Sequence, residues 1–85
     1  MTYRIEFAKN ATKQFKALPA NEQHRLKPKI DALAAEPRPA GVVKLSGEEN
    51  LYRIRVGNYR IIYTIEDKQL LVLVLKLGHR REIYR

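Results

Sequence analysis

Between residues 51 and 77 the chain reads LYRIRVGNYRIIYTIEDKQLLVLVLKL, three β-type runs separated by short turn signals. Gly57 and Asn58 form a two-residue hairpin connection, of residue types that tolerate positive φ. A loop that short dictates register: Val56 stands against Tyr59, Arg55 against Arg60, Ile54 against Ile61 and Arg53 against Ile62. Side chains alternate between the two faces of a strand. Tyr52, Ile54, Val56, Tyr59, Ile61 and Tyr63 therefore share an apolar and aromatic face, the core side. Arg53, Arg55 and Arg60 share the other face.

The rest of the chain supplies a cover for that core. TYRIEF alternates, with Tyr3, Ile5 and Phe7 on one side and Thr2, Arg4 and Glu6 on the other, which predicts a half-buried strand. AKNATKQFKAL spaces Ala8, Ala11, Phe15 and Leu18 for one helix face, and Pro19 ends it. NEQHRLKPKIDALAAEP predicts a second helix, capped by Asn21, with Leu26, Ile30 and Leu33 in one apolar stripe. Pro28 falls inside the stripe, and the expectation is a continuous, kinked helix. EPRPAG is a rigid exit loop, VVKLSG a short strand or extended segment, and EDKQ the second turn of the β region. The order β-α-α-β-β-β describes a single α+β domain over residues 1–85. Its two N-terminal helices pack on one face of a mostly antiparallel sheet of four to five strands.

Seventeen Lys and Arg against nine Asp and Glu give a formal charge of +8. On a chain this short the excess points to a polyanionic partner. There is no cysteine, hence no disulfide framework and no thiolate metal site, in keeping with a cytoplasmic location. The opening MTYRIEF lacks the apolar core of a signal peptide. The longest apolar run, LLVLVL, is far short of the roughly 20 residues that span a bilayer, so no membrane is expected as a partner.

Arg55 and Arg60 oppose each other directly, an arrangement that destabilises a sheet. Three arginines converging on one sheet face suit the binding of phosphate. The C-terminal segment GHRREIYR extends the cluster with His79, Arg80, Arg81, Glu82 and Tyr84. Histidine is the side chain most suited to proton transfer near neutral pH. A tyrosine offers a ring for a base to stack on, and arginines beside an aromatic are the usual makeup of a single-stranded RNA site. His24, on the second helix, reads as solvent-facing.

LYRIRVGNYRIIYTI followed by LVLVLKLGHRREIYR, and preceded by LAAEPRPAGVVKLSG, resembles the RelE-type toxins of type II toxin–antitoxin systems, within the RelE/ParE superfamily. The resemblance covers essentially the whole chain. It implies a ribosome-dependent endoribonuclease that cleaves mRNA in the A site and is neutralised by a RelB-type antitoxin. It implies that Arg53 and Arg55 take two basic strand positions that are lysines in well-known members. Arg60 matches the arginine that stabilises the scissile phosphate, Arg80 a second catalytic arginine, and Tyr84 the tyrosine that stacks on the codon. Lys76 and Arg81 would join Arg53 and Arg55 in binding RNA. The implied reaction is attack of a ribose 2′-hydroxyl on its own 3′-phosphate, giving a 2′,3′-cyclic phosphate, with no cofactor and no metal.

One departure concerns the proton acceptor. Arginine essentially cannot lose its proton, so residues 53 and 55 leave the base position without a lysine. His79, as an auxiliary group, Glu82 or the Tyr84 hydroxyl could serve, or positioning and electrostatics alone could carry the step. A second departure is that the sequence ends one residue after Tyr84. An antitoxin is then expected to cover the basic face or block the A site by bulk, rather than displace a C-terminal helix. A +8 domain with an arginine face suits an acidic antitoxin segment that folds on contact. Operator DNA enters only through the antitoxin. Two other readings use the same residues: a ParE-type toxin that poisons gyrase, and a non-catalytic basic module for an acidic partner or nucleic acid.

Overall fold

The computed structural model describes residues 2–45, 47 and 49–79. The elements run β1 (Arg4–Phe7), α1 (Lys9–Lys16), α2 (Ala20–Asp31), β2 (Val43–Lys44), β3 (Leu51–Val56), β4 (Tyr59–Glu66) and β5 (Leu71–His79). They form one five-stranded sheet in the order β1-β5-β4-β3-β2. β1 pairs with β5 in parallel, and every other pairing is antiparallel. The expected α+β architecture is therefore present, as a mixed sheet with two helices against it.

The core lies between the helices and one sheet face. Leu26 and Ile30 of α2, and Leu33 in the single 3₁₀ turn after it, bury fully against Ile61, Tyr63, Ile65, Val72 and Val74. Truncating any one of the leucines or isoleucines among these to alanine costs about 2–5 kcal/mol. Tyr52, Ile54 and Val56 complete the β3 side, as alternation requires. Among the described residues no helix is long and apolar enough to cross a membrane.

The hairpin register agrees at every predicted pair: Val56 with Tyr59, Arg55 with Arg60, Ile54 with Ile61, Arg53 with Ile62. Of the two turn residues only Gly57 has positive φ, at 60°, the pattern of a type II′ turn. α2 continues through Pro28, whose ring faces solvent. Its start differs from expectation. Pro19, already set near the φ that a helix approach needs, occupies the N-cap, so Asn21 lies inside the helix and makes no cap.

β5 departs from a regular strand. Tyr63 pairs with Val74 but its neighbour Ile62 pairs with Lys76, so Leu75 is an extra residue, a β-bulge. Before the bulge Val72 and Val74 face the core. After it Leu77 does, at 1% exposure, and Lys76 turns outward.

Candidate functional site

The sheet face away from the helices carries the cations. Register places Arg55, Arg60 and Gly78 in one row across β3, β4 and β5. The neighbouring row reads Val43, Arg53, Ile62 and Lys76 across β2 to β5. Strands lie about 4.8 Å apart and same-face residues about 7 Å apart along a strand, so four cations fall within a patch on the order of 10 Å across. Ile62, 7% exposed, forms an apolar floor between Arg53 and Lys76.

The three arginines differ in exposure. Arg55 is exposed and Arg53 half-buried, while Arg60 is only 7% exposed. Alternation puts all three on one sheet face and, taken alone, gives them equal exposure. Arg60 departs from that because β4 is flanked on both sides, by β3 and β5. Gly78, its partner across β5, also brings no side chain to the shared face. A guanidinium held this deep meets an anion in a lower dielectric than water, where charge stabilisation is worth more.

His79 sits apart from this patch. It pairs with Tyr59 on the core side of the sheet, with ring centroids 5.9 Å apart in an edge-on contact. The structure thus brings together Arg53, Arg55, Arg60 and Lys76, and sets His79 on the opposite face. Arg80, Arg81, Glu82 and Tyr84 lie outside the described residues. His24 is exposed, as expected.

The patch continues around the sheet edge. β2 pairs with β3 at Tyr52 and Arg53, and Leu45 N–H donates to the Leu51 carbonyl at 2.9 Å, so this cover stops short of Ile54 to Val56, whose edge faces the α2 side. There a cleft of about 810 Å³ runs between α2 and β3. Its rim carries Arg25, Lys29, Arg53, Arg55 and Glu36, with Glu22 ion-paired to Arg25 at 3.7 Å, and Leu33, Ile54 and Val56 line its apolar part. Arg25 reaches the hairpin: a Cβ on Gly57 would overlap its guanidinium. Sequence reading passed over Arg25 and Lys29. The available signal was their spacing of four, which puts both on one helix face, flanking Leu26.

The far wall of the cleft is held by a polar tie. Arg38 donates from both Nη atoms to Asp67 at 3.2 and 2.9 Å, and from Nε to the Tyr52 hydroxyl at 3.3 Å. Its guanidinium also lies 5.2 Å from the centre of the Tyr52 ring, which stacks on Tyr63. Tyr63 donates its hydroxyl proton to the Pro37 carbonyl at 2.8 Å, and burial pushes its pKa well above the usual value for tyrosine. Tyr3 donates to Asp67 at 2.6 Å. The Arg38 and Tyr3 hydrogen bonds hold the Asp67 carboxyl below its usual range. The loop with Pro39 and Gly41 is thereby fixed beside Arg53.

Residues 5–84 match the family model described as the ParE toxin of the type II toxin–antitoxin system parDE. The mRNA interferase toxin RelE of Escherichia coli K12 is 30% identical over 99% of this chain and 92% of its own length. Toxin RelE3 of Methanocaldococcus jannaschii is 33% identical over 95% of this chain and 94% of its own. Among solved structures, the archaeal RelE–RelB complex from Pyrococcus horikoshii OT3 superposes with a TM-score of 0.83. It is 37% identical, over 96% of this chain and 99% of that one.

Proposed function

The chain belongs to the RelE/ParE family of toxins of type II toxin–antitoxin systems, and from that footing we propose that it inhibits translation by cleaving mRNA in the ribosomal A site. The observation that carries this is the row Arg55–Arg60–Gly78 with Arg53 and Lys76 beside it, which gathers four cations on one sheet face; a group of cations of this kind suits an RNA phosphate. In the proposed step the 2′-oxygen attacks the adjacent phosphorus and the bond to the 5′-oxygen breaks. The 2′-hydroxyl proton leaves to an acceptor, and the 5′-oxygen takes up a proton. The products are a 2′,3′-cyclic phosphate and a 5′-hydroxyl.

Arg60 is assigned the charge developing on the phosphorane, where a pre-placed cation in a partly desolvated site is most effective. Arg53, Arg55 and Lys76 bind flanking phosphates, and Arg80, Arg81 and Tyr84 join the site by resemblance. His79 is assigned a positioning part through Tyr59. No lysine replaces a base at residues 53 and 55, so the chemistry rests chiefly on positioning and electrostatics, with the ribosome supplying much of the former. An acidic RelB-type antitoxin neutralises the toxin by covering the arginine face, and the cationic cleft beside α2 offers a continuation of the same surface.

Cleavage of mRNA on programmed ribosomes tests this reading. Wild type is expected to cut in the A site and leave a cyclic phosphate. Arg60→Ala is expected to lower kcat by about 100-fold or more, and Tyr84→Ala to lose most activity. The match to the ParE family model favours a second reading, gyrase poisoning. Absence of cleavage together with a supercoiling defect on induction would establish that reading instead.

A further inference from the structure

β1 covers the outer edge of β5 only as far as Val74, where Ala8 N–H donates to the Val74 carbonyl at 2.8 Å and the chain turns off into α1. The next part of that edge is covered by α1. Gln14 on α1 places its side-chain carbonyl 2.8 Å from the backbone N–H of Leu77, which donates to it. Leu77 is 1% exposed, so its amide has no solvent to turn to. This is the amide two residues past the extra residue Leu75.

The bulge decides which residue faces Arg60. On an unbulged ladder, Ile61 would pair with Lys76 and Arg60 with Leu77. Lys76 would then enter the core, and a leucine would stand over the guanidinium. With the bulge, Leu77 is in the core, Lys76 lies on the cation face, and Gly78, which has no side chain, pairs with Arg60. A bulge next to a functional group re-aims side chains in this way. It persists only where neighbouring structure holds it.

We propose that Gln14 is a positioning residue for the arginine face: by holding the Leu77 amide it fixes the β5 bulge, and so sets Gly78 and Lys76 beside Arg60. The functional half of this inference rests on the mRNA-cleavage reading above. Its structural half does not.

The test uses the full chain as wild type, Gln14→Leu, which cannot accept the hydrogen bond, and Gln14→Glu, which can. The structural readouts are amide exchange at Leu77 and the cross-strand NOE between Arg60 and Gly78. The functional readout is kcat and KM for cleavage on programmed ribosomes. In Gln14→Leu we expect faster Leu77 exchange, a weakened NOE, and kcat lower by about 10- to 100-fold with KM within about twofold. Gln14→Glu is expected to restore all of these. An unchanged NOE and kcat in Gln14→Leu overturns the proposal, as does an equal loss in both variants. If Gln14→Leu does not fold, Gln14→Ala, which lets water reach the amide, takes its place under the same criteria. If wild type does not cut RNA, the mRNA reading falls, and the NOE alone decides whether Gln14 sets the register at Arg60.

Discussion

Asp67 shows how single residues shape the site from outside it. Its carboxylate accepts from Arg38 and from Tyr3, and those bonds depress its pKa in the folded state. An unfolded aspartate titrates at about 3.9. A carboxyl with a lowered folded pKa stabilises the fold above that value, and the contribution disappears as pH falls through the folded pKa. Asp67→Asn should therefore lower Tm at pH 7. The gap to wild type should close as the pH is taken below about 4, which thermal melts across a pH series measure directly. The pair Arg38–Asp67 is exposed on both sides, so added salt should shrink the gap as well. No sequence pattern links residues 3, 38 and 67; only the fold makes them neighbours.

At the scale of elements, the hairpin was the legible part. Two-residue loop chemistry and strict alternation determine register and face together, and β3–β4 pairs accordingly. The β5 bulge was harder to see, though a clue was present. Counting by twos from Val72 and Val74 puts Lys76 in the core, which a lysine resists. Leu70 was invisible: a leucine at φ 51° in the left-handed region carries no local signature, and its conformation is held by tertiary structure around the turn before β5. The burial of Arg60 could not be read either, since exposure on a sheet depends on what flanks the strand. Gly57 supplies the element-scale prediction. Gly57→Ala forces an L side chain to φ 60° and displaces the Arg25 guanidinium. It should destabilise the fold by about 1–2 kcal/mol, read as a lower denaturant midpoint with unchanged slope.

Over the whole molecule the excess of positive charge is organised, with Arg53 and Arg55 shared between the sheet face and the cleft beside α2. Binding of a single-stranded oligonucleotide through the four cations Arg53, Arg55, Arg60 and Lys76 should give a log–log salt slope of about −2.8. Arg55→Ala should flatten it by about 0.7. Fluorescence anisotropy over a salt series measures both, and a slope near zero would remove the phosphate-binding role. The sheet order adds a consequence in time. β5 lies between β1 and β4, yet it is the last of the five strands to be synthesised. Until it emerges, β1 has no strand to pair with and Arg60 has nothing across from it on that side. The arginine face is therefore completed only after β5 has been made, and a chain not yet extended through β5 presents no finished site to the ribosome producing it.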